Sequence, residues 1–204
     1  MTRGVQSKQP MGFRMQKVYV VMPMLAAVLC SAPAGAADTY SIDLRHTHPS
    51  YEIDHFGWSI QRGRFDNVTG TIVLDRVTKA GSVDVRIEVS SVSTGVSKLD
   101  EHLKSEDFFD AAKYPTISFK SSKIVFNADA PSSVPGEMTI LGVTKPVTLN
   151  VTHFSCGQHP MLKKEVCGAE ARATIKRSEF GMSKFLPALG DEVKLLINVE
   201  AIKQ

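Results

Sequence analysis

Three of the chain's six histidines, His46, His48 and His55, fall within the stretch RHTHPSYEIDHFGW at residues 45–58. Imidazole nitrogens bind borderline divalent metals, and they also pair with the polar ends of other ligands. On a strand, His46 and His48 would share one face about 6.6 Å apart, a spacing that some metal sites use. A metal centre needs further ligands converging on that pair, and no adjacent glutamate or second histidine pair stands at zinc-protease or zinc-finger spacing. Metal binding is therefore kept only as an alternative. Asp43 and His46 are spaced for a catalytic dyad, but no nucleophile accompanies them. The chain has no Gly-x-Ser-x-Gly elbow, no glycine-rich phosphate loop and no Cys–His dyad, so an enzyme is not expected and no catalytic residue is assigned.

The elements that carry these residues read as strands. Val83, Val85, Ile87 and Val89 share one parity while Asp84, Arg86 and Glu88 take the other, the pattern of a strand with one wet face. The alternation recurs at Tyr40-Ile42-Leu44, Ile72-Leu74, Ile117-Phe119, Met138-Ile140, Val147-Leu149-Val151, Ala169-Ala171-Ala173-Ile175 and Val193-Leu195-Ile197-Val199. With residues 51–60 this makes about nine strands, separated by turn signals such as Leu141-Gly142 and Leu189-Gly190-Asp191. Many short strands with little helix predict an all-β fold, an antiparallel barrel or sandwich. The exception is SKLDEHLKSEDFFDAA, residues 97–112, where Leu99 and Leu103 suit a helical turn or two that ends before Tyr114-Pro115.

Parity also predicts a hollow. Ala169, Ala171 and Ala173 occupy the inward positions of one late strand, and side chains that small do not fill a closed sheet of about eight strands. The alternative is a large neighbour packed over them. Phe56, Trp58, Phe65, Phe108, Phe109, Phe119 and Phe126 are the aromatic candidates for an apolar cavity wall. Phe108 and Phe109, flanked by Lys98, Lys104 and Lys113, are expected to cover one barrel mouth with the rings inward and the lysines at the rim. His46 and His48 continue the phase of the first strand, and His153 that of Val147-Leu149-Val151. They are expected at barrel ends, where a ligand head group or water satisfies them. A change of phase between Ile53 and Phe56 predicts a bulge or bend near Asp54-His55, which either turns His55 inward or marks where a strand leaves one sheet edge.

Residues 1–36 read as a secretory signal peptide. Arg3, Lys8, Arg14 and Lys17 precede an apolar run at residues 18–30, and Ala34-Gly35-Ala36 is a small-residue cleavage site. The mature domain is expected at residues 37–204, in the periplasm, whichever of Met1, Met11 or Met15 begins translation. The run contains Pro23 and is too short to span a bilayer comfortably, so no stable membrane span is expected. Cleavage removes four of the 24 basic residues and none of the 21 acidic ones, leaving a nearly neutral chain. No basic cluster with interleaved aromatics remains, so nucleic acid is not an expected partner. Cys156 and Cys167 are the two cysteines outside the leader, an even number in an oxidising compartment, and a disulfide between them is expected to contribute on the order of 2–3 kcal/mol.

Several stretches carry a family resemblance. DEHLKSEDFFDAAKYPTISFKSSKI at residues 100–124 and GEMTILGVTKPVTLNV at residues 136–151 closely resemble the signature of the YceI-like family of bacterial periplasmic proteins. The opening YSIDLRHTHPSYEIDHFGWSIQRGRFDNVTGTI resembles the family's start, with Asp43 and His46, then His55, then Arg62-Gly63-Arg64-Phe65. ATIKRSEFGM and GDEVKLLINVEA match near the C-terminus. The resemblance implies an extended, lipocalin-like antiparallel barrel that binds a long isoprenoid lipid of polyprenyl or quinone type, with members linked to lipid carriage and stress responses and no firm catalytic activity. His46-Thr47-His48-Pro49 replaces the more usual His-Ser start, and the cysteine pair is a further departure. Together these readings predict a lipid carrier with no cofactor beyond the bound lipid. Its expected lipid contacts are His46, His55, the seven aromatics and the three alanines. A chain that outruns one barrel would favour a homodimer. An exported β-sandwich interaction module and a histidine metal-binding protein are the alternatives.

Overall fold

A computed structural model describes residues 1–4, 12 and 37–204, so the leader, its cleavage and the choice of start lie outside the described residues apart from these few positions. None of the described helices is long and apolar enough to cross a membrane. The strands are β1 (Asp38–Ile42), β2 (Ser50–His55), β3 (Ser59–Phe65), β4 (Val68–Asp75), β5 (Ala80–Glu88) and β6 (Val92–Ser93). After α1 (Ser97–Lys104) come β7 (Thr116–Ser121), β8 (Val125–Asn127), β9 (Ala130–Ile140), β10 (Val143–Gln158), β11 (Glu165–Lys176) and β12 (Leu189–Lys203).

All strand pairs are antiparallel, and β1 pairs with both β4 and β12, which closes the sheet into a barrel of eight staves. Twelve strands make eight staves because four staves are interrupted, the fourth by residues 122–124 between β7 and β8, which both lie along β9. β1 and β2 lie one after the other along β12, with Ile42 opposite Ala201 and Ser50 opposite Leu196. β3 and β4 are separated by Asp66 and Asn67, and β5 and β6 by one 3₁₀ turn at Val89–Ser91. Within the first interruption the buried Thr47 hydroxyl accepts the Glu200 N–H at 3.0 Å and donates to the Glu200 carbonyl at 3.2 Å. A side chain thus supplies the ladder bonds that the missing strand would have made.

One half of the barrel is solid. Tyr40, Leu74, Phe119, Val134, Val147 and Ala201 are buried there as inward residues of their strands, with Ile124 from the connection between β7 and β8. The Phe119 ring lies directly on Gly136, where an added Cβ would stand 2.5 Å from both the ring and the Lys120 carbonyl. The Tyr40 hydroxyl donates to Glu165 at 2.5 Å, and Arg76 donates to both oxygens of that carboxylate at 2.9 and 3.0 Å. These bonds hold the Glu165 carboxyl below its ordinary pKa, with the Tyr40 hydroxyl the first cause and Arg76 the next after burial, which opposes them. Cys156 and Cys167 face one another across β10 and β11 and are joined as the expected disulfide.

Three expectations change. Residues 51–60 form two strands around a turn at Phe56, Gly57 and Trp58, because Phe56 and Gly57 both adopt positive φ, 60° and 71°. The change of phase therefore marks a sharp bend, a hairpin turn, and not a bulge. β1 ends at Ile42, so His46 lies in a turn and its parity with Tyr40 has no meaning. His153 is exposed because β10 shifts register between Val151 and His153, resetting the alternation.

Candidate binding site

The other half of the barrel holds a cavity of about 470 Å³. Here β3 has lost its neighbour beyond a two-residue contact with β6, and the chain that follows β6 fills the gap in the wall. The helix α1 places Leu99, His102 and Leu103 on one face, the i, i+3, i+4 spacing expected of a surface helix, and all three line the cavity. Phe108 and Phe109 follow on turns whose N–H groups are held by the carbonyls of Ser105 and Leu103. Both rings line the cavity, and Phe109 meets Phe65 edge-on at 5.6 Å. Lys104 reaches Glu101 at the outer surface.

The floor and far wall come from the sheet. Ile117, Met138, Ile140, Ile175, Val193, Leu195 and Ile197 line the cavity from β7, β9, β11 and β12. The segment after β11 adds Arg177, Phe180, Met182 and Phe185. Arg177 is buried, yet its guanidinium meets no carboxylate within hydrogen-bonding distance. Its nitrogens donate to the carbonyls of Gly190 at 2.8 Å and of Met182 and Leu189 at 3.0 Å, binding the ends of the 182–190 loop together. Burial lowers the Arg177 pKa, and the nearby Asp191 carboxylate opposes that shift. The Asp191 carboxyl is itself held below its ordinary pKa, first by the Ser178 N–H at 2.9 Å.

Of the twelve residues proposed from the sequence as lipid contacts, the cavity brings together His55, Phe56, Phe65, Phe108 and Phe109. The other seven do not line it. His46 is largely exposed, with Nδ1 2.8 Å from Asp43 and 3.8 Å from Glu200. Those three side chains are the one group among the described residues spaced to hold a metal ion. Hydrogen bonding from Arg45, then from His46, drives the Asp43 carboxyl far below its usual range, so it is an anion at neutral pH. Trp58 stands outside the cavity on the hairpin tip, 80% exposed. Phe119 belongs to the solid half, and Phe126 packs against that core from β8.

Ala169, Ala171 and Ala173 do share the inner face, but they mark tight packing. Ala171 lies opposite Ile197 and Val151, and Ala173 opposite Leu195. The small side chains admit these larger neighbours, of which Leu195 and Ile197 line the void. The β12 parity already visible in Val193-Leu195-Ile197 was the signal that could have found this wall. Arg177, Phe180 and Met182 stood within the KRSEFGM stretch without any period to assign them.

Tyr51 brings a phenol to the cavity wall. Its ring lies over Gly63, where an added Cβ would meet the phenolic oxygen at 2.4 Å. Burial, with a contribution from the Asp100 charge, pushes the phenol up to about 12 from the ordinary 10.0. The folded state therefore holds this proton more tightly than the unfolded chain does. The resulting stability, on the order of 2 kcal/mol, is complete below pH 10.0 and is lost as pH rises through about 12. Tyr51→Phe should therefore lose less stability than the wild type between those limits in urea titrations at stepped pH. Equal losses would show that Tyr51 does not set the alkaline limb.

An antiparallel barrel, solid at one end and hollow beneath a phenylalanine cap at the other, is the architecture of a protein that encloses an apolar molecule. The YceI-like domain model matches residues 40–201, and the chain belongs to the YceI-like family. It is 35% identical over 182 residues to Protein YceI of Escherichia coli O157:H7, covering 88% of this chain and 94% of that one. The crystal structure of Burkholderia cenocepacia BcnA superposes with a TM-score of 0.67 at 25% identity, over 78% of this chain and 98% of that one. A structure described as a polyisoprenoid binding domain from Saccharophagus degradans shares the fold, with a TM-score of 0.59 at 16% identity over 81% and 98% of the two chains.

Proposed function

We propose that this protein is a non-enzymatic, periplasmic carrier that holds the tail of a long-chain isoprenoid lipid inside the hollow half of its barrel. The observation that carries the reading is the cavity itself, about 470 Å³ and walled mainly by aliphatic and aromatic side chains. Burying hydrocarbon in such a space contributes roughly 0.8 kcal/mol per CH₂, so affinity grows with the length of chain that fits. Branched, unsaturated isoprene units suit the ring faces of Phe65, Phe108, Phe109 and Phe180, which a straight chain would use less fully. Membership of the YceI-like family supports the same ligand class, as does the fold shared with the polyisoprenoid binding domain of Saccharophagus degradans.

The solid half limits how the lipid lies. Phe119, Ile124 and Val134 fill the barrel beyond the cavity floor, so a long chain enters from the α1 end and its head remains near that mouth. Tyr51, His55 and His102 are among the polar side chains of the wall that could orient a polyprenyl or quinone head. Organic extraction of the purified mature protein, followed by mass spectrometry, tests the proposal. A stoichiometric prenyl lipid is the expected result. Recovery of none from natively exported protein would overturn it, and a stoichiometric metal found by elemental analysis would redirect attention to Asp43, His46 and Glu200.

A further inference from the structure

We infer that Phe119 is a chain stop: its ring forms the floor on which the end of a prenyl chain comes to rest, so the barrel senses only the terminal stretch of its lipid. The inference rests on the proposed function for its ligand and adds the residue that sets the limit on length. The cavity and a long isoprenoid are mismatched in size. A space of about 470 Å³ is on the scale that encloses one drug-sized molecule, and a long-chain isoprenoid tail is larger. The excess either threads deeper into the barrel or stays outside the mouth. What lies beneath the cavity decides between the two.

Strand register orders the inner wall by depth. Ile87 of β5 lies opposite Ile117 of β7, and both line the cavity. Val85 lies opposite Phe119 at the next level, and Val83 opposite Ser121 below that. Gly81 is one level deeper still, opposite Leu74 of β4. Phe119 also pairs with Met138 of β9, which lines the cavity, so the void ends where the Phe119 ring begins. The ring leans away from the mouth onto Gly136, two residues deeper on β9 than Met138, where an added Cβ would stand 2.5 Å from it. Ile124 repeats the arrangement further down. It lies over Gly81, where an added Cβ would stand 2.7 Å from the Ile124 Cδ1. Between these two levels Ser121 is small, and its hydroxyl is taken up by main-chain groups of Lys123 and Pro135. The obstruction is therefore two large side chains in series, each laid over a glycine that leaves room for it. Beyond them the hydrogen-bonded cluster of Tyr40, Arg76 and Glu165 closes the far end, so the bore would stay blind even if lengthened.

The test offers lipid-free protein an equimolar mixture of farnesol and solanesol, a short and a long prenyl alcohol, in detergent, and reads the bound ratio by mass spectrometry. Comparing proteins against one mixture cancels the partitioning of each alcohol into detergent. Phe119→Ala should raise the ratio of solanesol to farnesol about tenfold over wild type, because more of the long chain is then buried. Phe119→Leu, which leaves the core better filled, should raise it by a smaller factor, so the outcome does not depend on the alanine variant folding. Ile124→Ala alone should keep the wild-type ratio, since Phe119 stands between it and the cavity, yet add a further rise to either Phe119 variant. A general loosening of the barrel would instead let Ile124→Ala act by itself. A wild-type ratio in the folded Phe119 variants, or a ratio raised by Ile124→Ala alone, would overturn the inference and leave the carrier reading standing. Binding of neither alcohol by the wild type would overturn both.

Discussion

Replacing Arg177 with methionine is expected to destabilise the protein by roughly 3 kcal/mol or more, seen as a lowered urea midpoint. Methionine is long enough to occupy the space, so the loss comes from hydrogen bonding and not from a cavity. The carbonyls of Met182, Leu189 and Gly190 would lose the donor that now reaches all of them. Leaving a buried carbonyl unpaired costs about 1–3 kcal/mol each. Arg177→Lys should recover little of the loss, because an ammonium cannot reproduce a planar fork with several fixed donors. The loop bound by Arg177 carries Phe185 to the cavity mouth, so the variant should also hold prenyl lipid poorly at temperatures where it remains folded. A midpoint within a few tenths molar of wild type would mean that water satisfies those carbonyls equally well.

Phe108→Ala together with Phe109→Ala is expected to lower retention of a fluorescent prenyl lipid at least tenfold, chiefly through faster dissociation. The two rings close the cavity from the side where the sheet is open, and they do so from a segment outside the barrel ladders. Their removal should leave the far-ultraviolet β-sheet spectrum and the disulfide unchanged. Unchanged lipid retention in a variant that keeps its fold would reject a capping role for this segment. Phe108 also packs edge-on against His102 at 5.0 Å, so the His102–Asp107 contact should loosen in the same variant.

Much of this barrel was legible before any coordinates. The alternation at Val83, Val85 and Ile87 is the inward face of β5, and that at Val193, Leu195 and Ile197 is the cavity-facing row of β12. The cysteine pair and the helical segment ahead of Tyr114-Pro115 were equally plain. These features depend on neighbours within one strand or one turn, where a period of two or of 3.6 acts through the backbone alone. The resemblance carried by residues 100–124 and 136–151 reached the family for a different reason, since the family pattern runs in order over residues 40–201.

Parity could not say where the barrel is hollow. Ala171 and Phe119 both face inward, but depth along the axis is set by which strands lie beside them, and those lie far away in sequence. Nor could it detect interruptions. The hairpin at Phe56-Gly57 and the turn at His46 reset the count that had placed Trp58 and His46 on the inner wall. The amino-acid sequence by itself determined an antiparallel β-protein of the YceI-like family with one disulfide and a short helix followed by a phenylalanine-bearing segment. Only the tertiary structure decided that half of the barrel is solid, that Arg177 ties the mouth loop, and that Trp58 faces outward. The first outcome rests on closure of β1 onto β12, which joins residues about 160 positions apart, a distance over which no local period carries information; the other two rest on irregular turns, at Phe56-Gly57 and at residues 182–190, that carry no period at all.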